Sequence, residues 1–354
     1  MEKVLIAMSG GVDSSVAAYL MKQRGCDCVG VTMRLFANED IGVSREKSCC
    51  SLDDVQDARS VAARLGIPYY VFNFTGDFKT QVIDRFTGAY ACGRTPNPCI
   101  DCNRYLKFER LYERARLMGC DAVVTGHYAR IAQENGRWVL KKALDPSKDQ
   151  SYVLYSLTQE QLAHTRLPVG EYAKSDTRKI AEEMGFFNAS KPDSQDICFV
   201  PDGDYAAFIE RTTGKVYPEG SFVDESGHVL GRHRGIIHYT IGQRKGLGIA
   251  AETPLYVKRI DAARNEVVLS RDEALYSPAL TAQDMNWMAF DVPPREFRAS
   301  AKIRYRHAEQ PCTVRVLEDG RAQVVFDAPQ RAITPGQAVV LYDGDTVLGG
   351  GVIV

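Results

Sequence analysis

No apolar run in this chain approaches the roughly 20 residues that a membrane-spanning helix requires. Long Pro, Ser or Gly tracts and blocks of like charge are also missing, and with 45% hydrophobic and 25% charged residues the composition excludes an extended disordered protein. The opening residues, Met1-Glu2-Lys3-Val4-Leu5-Ile6-Ala7-Met8, have neither the basic start of a secretory signal nor the Arg-rich character of a transit peptide; they read as a short buried strand. A cytoplasmic protein is expected. With 44 basic against 45 acidic residues there is no overall charge to draw a polyanion, so a nucleic-acid partner would have to meet local basic patches. Cysteine is not scarce. Ten cysteines in a reducing compartment do not make a static disulfide framework, so clustered ones become candidates for metal binding, redox work or nucleophilic chemistry.

The 354 residues suffice for two or three domains. Short apolar runs alternate with amphipathic stretches in the first half: Val4–Met8 then Ser14–Gln23, Cys28–Met33 then Leu52–Leu65, Tyr69–Phe74 then Phe78–Ala91, and Ala122–Thr125 after Asn103–Met118. Strands this apolar, each next to a helix-length segment, predict an α/β fold with a parallel sheet covered on both faces and ligands beyond the carboxyl ends of its strands. From Val257 onward, short alternating runs are separated by Asp319-Gly320, Pro335-Gly336 and Asp343-Gly344, turn signals that suit an antiparallel β-barrel or sandwich. The expected division is 1–198 for the parallel-sheet domain, 199–275 for a small central domain and 276–354 for the antiparallel domain.

Ser9-Gly10-Gly11-Val12-Asp13-Ser14-Ser15 follows the first strand and opens the first helix, an order that suits backbone amides and a helix N-terminus facing an anion. No lysine follows the second glycine, so a Walker A loop is excluded. Cys99-Ile100-Asp101-Cys102 stands before a helical stretch read as Arg104 to Met118, a position that would favour thiolate, although half of a zinc site or two incidental loop cysteines fit the same spacing. Cys198 stands alone, and Cys49-Cys50 read as packing or incidental redox residues. Arg295, Arg298, Lys302, Arg304 and Arg306, interleaved with Phe297 and Tyr305, suit phosphate contact with base stacking, and a solvated strand face would look the same. Arg232-His233-Arg234 and Gln243-Arg244-Lys245 form a second basic region.

The loop resembles that of the ATP-pyrophosphatase (PP-loop, adenine nucleotide alpha hydrolase) group, which attacks the α-phosphate of ATP and leaves an adenylated substrate. By that resemblance, Ala7, Met8, Ser9, Gly10, Gly11, Val12, Asp13 and Ser14 would line the phosphates. Asp13 would help hold Mg²⁺, Met33 would meet the adenine and Gly126 would close the pocket. Ser9–Ser14, Gly93-Arg94-Thr95-Pro96-Asn97-Pro98, Thr125-Gly126-His127-Tyr128, Lys148-Asp149-Gln150-Ser151-Tyr152, Cys198, Gly242-Gln243-Arg244-Lys245-Gly246-Leu247-Gly248 and Thr334-Pro335-Gly336-Gln337 together resemble the tRNA-specific 2-thiouridylase family along essentially the whole chain.

The resemblance implies a sulfurtransferase that adenylates the C2 oxygen of the wobble uridine of tRNA with ATP and replaces it with sulfur. It implies Cys102 as nucleophile, Cys198 as the persulfide-bearing cysteine, Asn97, Pro98 and Cys99 at the target base, and His127, Lys148, Asp149, Gln150, Arg304, Tyr305 and Gln337 in contact with tRNA. The tRNAs would be those for Lys, Glu and Gln, and sulfur would come from a cysteine desulfurase or a sulfur relay protein. Transfer would leave a Cys102–Cys198 disulfide bond to be reduced. Many family members carry Asp where this chain has Cys99, which puts an acid/base role there in doubt. Three thiols, Cys99, Cys102 and Cys198, would alternatively bind a four-iron four-sulfur cluster with one iron left open to exogenous sulfide.

A small-substrate adenylating synthetase would explain the loop and leave the cysteines and the basic stretches without a task. A zinc-stabilised RNA-binding module would consume no ATP. A 4-thiouridine synthetase is expected to carry an additional RNA-binding domain ahead of the loop.

Overall fold

The computed structural model describes residues 1–36, 52–193 and 197–354. Cys49 and Cys50 lie outside the described residues. By its contacts the chain forms two compact units, one of residues 1–82, 99–203 and 344–348, the other of residues 83–98, 204–343 and 349–354.

The first unit is built on a five-stranded sheet of order β3-β2-β1-β4-β7, with β1 Lys3–Ala7, β2 Asp27–Arg34, β3 Tyr69–Asn73, β4 Ala122–Val124 and β7 Thr165–Arg166. Every pairing in it is parallel. The central strands are apolar and buried because helices cover the sheet: Val4, Ile6 and Met8 pack with Val12, Val16 and Ala17 of helix α1 (Val12–Gln23) and with Ala58, Val61, Ala62 and Leu65 of helix α2 (Leu52–Leu65). Edge strand β3 leaves Tyr70 and Val71 exposed. Strand order decides where a ligand fits. The chain runs from β1 outward through β2 to β3, then returns to place β4 on the other side of β1, so the switch point lies beyond the carboxyl ends of β1 and β4. The glycine loop follows β1, and Thr125-Gly126-His127 follows β4. The first unit also holds the hairpin β5 (Ala129–Glu134) and β6 (Arg137–Lys142), with Lys141 paired to Thr346.

In the second unit, strands β8 (Gly220–Val223), β9 (Val229–His233), β10 (Tyr256–Asp261) and β11 (Glu266–Ser270) form a sheet of order β10-β11-β8-β9. Its β11–β8 pairing is parallel and the other two are antiparallel. Strands β12 (Tyr276–Asn286), β13 (Glu296–Lys302), β14 (Gln310–Val316), β15 (Ala322–Arg331), β16 (Ala338–Asp343) and β17 (Thr346–Ile353) run in the order β12-β15-β14-β13-β16-β17, and β12 pairs again with β17. That second pairing closes an antiparallel barrel and removes its edges. Ala282, Ala301, Cys312, Val314, Val324 and Val340 are buried in this domain. Among the described residues no helix is long and apolar enough to cross a membrane.

Candidate nucleotide and thiol site

Glycines set the shape of the loop. Gly10 has φ +77°, and a Cβ there would run into the backbone of Asp54 in α2. Gly11 caps α1 without a side chain. A Cβ on Gly126 would lie 2.7 Å from the backbone C of Asp13 and the N of Ser14, so only glycine lets the β4 turn lie against the first turn of α1.

Polar contacts from distant sequence hold the loop. Ser14 and Ser15 hydroxyls each donate to the Gly11 carbonyl at 3.0 Å, and Ser14 Oγ accepts from the Ser9 amide at 3.2 Å. Asn188 Nδ2 donates to the Gly10 carbonyl and to Ser15 Oγ, both at 2.9 Å. Lys191 bonds Asp54 at 2.5 Å and Asp57 at 2.8 Å and reaches the Gly10 carbonyl at 3.5 Å. Beneath the loop, Thr32 Oγ1 donates to the Met8 carbonyl at 2.6 Å, and the neighbouring Met33 is buried near the end of β2.

Asp13, expected at a magnesium ion, is engaged by protein. Lys174 Nζ donates to its two carboxylate oxygens at 2.6 and 2.8 Å, and the Tyr128 hydroxyl donates to Oδ1 at 2.8 Å. Lys174 also meets Asp193 at 2.8 Å, and Asp193 in turn meets Lys148 at 2.8 Å and Arg178 at 2.9 Å. Burial alone would raise the Asp193 pKa, but the hydrogen bonds and charges of Lys148 and Lys174 outweigh it and hold the carboxyl at about 2. Burial, reinforced by Asp13, keeps the Tyr128 phenol protonated far above its usual range. Lys174, Asn188 and Lys191 were missed at the sequence level. Nothing local marks them, because they come from segments more than 130 residues away from the loop or α2 partner they bind. The one usable hint was the missing loop lysine.

The thiol segment departs from the sequence expectation. The helical stretch begins at Pro98, not Arg104: an α-helical turn Pro98–Asp101 passes into a π-helical stretch Cys102–Arg110 and then into Leu111–Leu117. Proline suits a first helical position, and π turns often mark functional sites. Cys99 and Cys102 therefore share one helix face, three residues apart. Activation by the helix N-terminus does not prevail. Burial raises the Cys102 thiol, with Lys107 opposing the rise and Asp101 adding to it. Solvent touches the Cys99 side chain, yet enough protein surrounds its sulfur that burial pushes the thiol up to about 11; Cys102 adds to this and Lys107 opposes it. The orientation of the segment is fixed by Asn103, fully buried, whose Nδ2 donates to the Val153 carbonyl at 3.0 Å.

Cys198 is in the same unit, partly buried beside Phe199, whose ring packs edge-on against Phe78 at 5.6 Å. The iron–sulfur reading finds no ligand set in this arrangement. Among the described residues no three Cys, His, Asp or Glu side chains gather as a metal ligand set, and Cys99, Cys102 and Cys198 are included in that statement.

The expected RNA-contacting residues divide between the units. In the first, His127 Nδ1 lies 2.8 Å from Thr125 Oγ1, and burial, with Lys107 second, drives its pKa well below the usual imidazole range, so the ring is neutral. Asp149 accepts from the Ala143 and Ser151 amides at 3.1 and 3.2 Å, and Gln150 exchanges hydrogen bonds with the Tyr128 backbone. Those side chains do scaffold work. In the second unit, Gln337 Nε2 donates to the Thr95 carbonyl at 2.7 Å and steadies the turn leading to Asn97 and Pro98. Arg304 and Tyr305 are exposed there, after β13.

A parallel sheet with a glycine loop at its switch point, in one chain with a closed antiparallel barrel, defines a HUP-type α/β enzyme with appended β domains. Residues 2–202 match the family model of a tRNA methyl transferase HUP domain, 206–271 a tRNA methyl transferase PRC-barrel domain, and 277–353 an aminomethyltransferase beta-barrel domain. A tRNA-specific 2-thiouridylase MnmA of Clostridioides difficile is 52% identical over 99% of this chain and 98% of its own length. Its namesake in Acetivibrio thermocellus is 53% identical over 99% of each. Among solved structures, a 4-thiouridine synthetase in complex with RNA and ATP aligns with TM-score 0.38 and 22% identity over 56% of this chain and 45% of the other, too little to argue from. The chain belongs to the tRNA-specific 2-thiouridylase family, whose activity is that of a sulfurtransferase.

Proposed function

We propose that this chain converts the wobble uridine of tRNA to 2-thiouridine, with ATP as co-substrate. The observation that carries this reading is the glycine loop at the switch point, closed by Gly126, in the same compact unit as the Cys99–Cys102 helix.

The C2 oxygen belongs to a urea-like carbonyl and is a poor leaving group. Its attack on the α-phosphate expels pyrophosphate and makes AMP the leaving group, while loop amides stabilise phosphate charge. Magnesium would supply further charge neutralisation, and Asp13 is the carboxylate at the loop that would hold it. The terminal sulfur of a Cys198 persulfide then bonds C2, and AMP departs. Attack of the Cys102 thiolate on Cys198 Sγ breaks the sulfur–sulfur bond, releases 2-thiouridine and leaves a Cys102–Cys198 disulfide, which a thiol reductant must reopen. No step passes through a cluster.

The raised Cys102 thiol has a chemical benefit. A sulfur that stays protonated until the adenylated base is present wastes no persulfide and escapes oxidation. Asn97 to Cys99 meet the turned-out base, while Lys148, Arg304 and Tyr305 contact the RNA. The tRNAs are those for Lys, Glu and Gln, the donor is a cysteine desulfurase or relay protein, and the compartment is the cytoplasm.

The test is tRNA-dependent pyrophosphate release and 2-thiouridine formation, measured in parallel for the unaltered chain and for Cys102→Ala. Pyrophosphate release should persist while thiolation falls by more than about 10³-fold. A variant that still thiolates at a comparable rate sinks the role of Cys102, and a parent protein that releases no pyrophosphate with tRNA sinks the adenylation step.

A further inference from the structure

The loop carries no lysine of its own, yet a nucleotide triphosphate brings several negative charges to the first turn of α1, where Asp13 already places another. The fold supplies cations from elsewhere, and their partners separate their roles. Lys191 is shared between Asp54 and Asp57 and touches the loop only at the Gly10 carbonyl, so it holds the loop in place. Lys148 and Arg178 meet Asp193, Arg178 donating also to the Ala189 and Lys191 carbonyls and Lys148 also facing Asp145. Lys174 is the cation bonded to Asp13.

Lys174 opens the helix Lys174–Glu183, and its backbone amide is held by Asp145 at 3.1 Å. Its side chain is only 10% exposed, its ammonium lies 5.6 Å from the Tyr128 ring centroid, and it is shared between Asp13 and Asp193. The network as a whole has three cations, Lys148, Lys174 and Arg178, and three carboxylates, Asp13, Asp193 and Asp145, the last accepting from the Lys174 amide and facing the Lys148 charge. Tyr128 stays neutral. The Lys174 ammonium is thus held, largely out of water, against the first turn of the loop helix. A cation so placed must keep an anionic partner, which Asp13 supplies in the free protein and a phosphate can supply in its place.

We propose that Lys174 is the phosphate-neutralising lysine of this site, stored on Asp13 in the free protein and handed to the nucleotide's phosphates on binding, which frees Asp13 for the accompanying divalent cation. Asp13 is then a placeholder for phosphate before it is a metal ligand. The exchange leaves the charge around Lys174 balanced in both states, and Asp193 keeps the ammonium from leaving the site. This rests on the reading that the loop binds ATP.

The experiment is equilibrium binding of adenosine, AMP and ATP to the full chain, by calorimetry, with and without Mg²⁺. Lys174→Met should weaken ATP by about 10- to 100-fold, AMP by less and adenosine hardly at all, because the loss follows the charge on the ligand. An equal loss for all three ligands, or none for ATP, overturns the proposal, since a lysine that merely braces the fold would not sort ligands by charge. Asp13→Asn decides the matter if Lys174→Met does not fold. With the stored partner weakened, Mg²⁺-free ATP should bind several-fold more tightly than to the parent, and unchanged or weaker binding overturns the exchange. A parent chain that binds no ATP overturns the proposed function itself, an outcome distinct from ATP binding that ignores Lys174.

Discussion

The glycine loop and the thiol helix both belong to the first unit, and they are prepared in opposite ways. At the loop the fold has its charged groups in place before any ligand arrives. Asn188, Lys191, Lys174 and Tyr128 reach it from distant sequence, and carboxylates and ammoniums there are mutually bonded. At the thiols the fold withholds charge, with Cys99 and Cys102 both raised and Lys107 only partly opposing burial. A site that must recognise the same polyphosphate every turn gains from preorganisation. One that must release sulfur only to an activated base gains from a nucleophile kept neutral until then.

The largest effect is expected where the loop's preorganisation is purely steric. Gly126→Ala places a methyl 2.7 Å from backbone atoms of Asp13 and Ser14, and backbone in the first turn of a buried helix cannot step aside. A loss of roughly 1–3 kcal/mol in urea unfolding is expected from overpacking, with ATP affinity falling in step. Gly88→Ala is the comparison, since a Cβ there meets nothing within 4 Å inside the helix Asp84–Ala91. It should stabilise by about 0.5–1 kcal/mol. Equal behaviour of the two variants would show that the close approach at Gly126 is unimportant.

A smaller effect tests the charges. The folded pKa of Asp193, about 2 against an ordinary 3.8, lies below its unfolded value, so its contribution is present above about pH 4 and fades as pH falls through 2. At pH 7 Asp193→Asn should cost roughly 2 kcal/mol. The gap between variant and parent in urea titrations should close on acidification. A gap that stays constant from pH 7 to pH 2 would mean that shape rather than charge matters at this position.

What could be read in advance divides along the same line. Ser9-Gly10-Gly11 was legible because glycines between a strand and a helix encode a backbone shape locally, and the parallel sheet and closed barrel were legible from strand–helix rhythm and turn residues. The charge network was not, because Asp13 meets Lys174 and Asp54 meets Lys191 only through strand order and helix packing. The thiol helix, read from Arg104, starts at Pro98 instead, because a proline at a first helical position loses no hydrogen bond.

The smallest effect bears on position 99, where the family resemblance leaves an acid/base role in doubt. A carboxylate at position 99 would be ionised at neutral pH and able to accept a proton. Cys99, pushed up to about 11, is protonated there and can only donate. Its iodoacetamide labelling, followed by peptide mass spectrometry, should keep climbing from pH 7 past pH 10 without a plateau, because the thiolate is the reacting form. Cys102→Ala should shift the curve toward lower pH by removing the neighbour that raises it, and Lys107→Met should shift it upward by removing the charge that opposes the rise. Both shifts should change the rate at pH 9 by less than about tenfold, since solvent reaches the Cys99 side chain and screens its neighbours. A plateau below pH 8 would make Cys99 a ready thiolate and erase the contrast between the two halves of the site. A climbing curve assigns any proton acceptance near the base to some other group, and the neutral imidazole of His127 is the nearest in character.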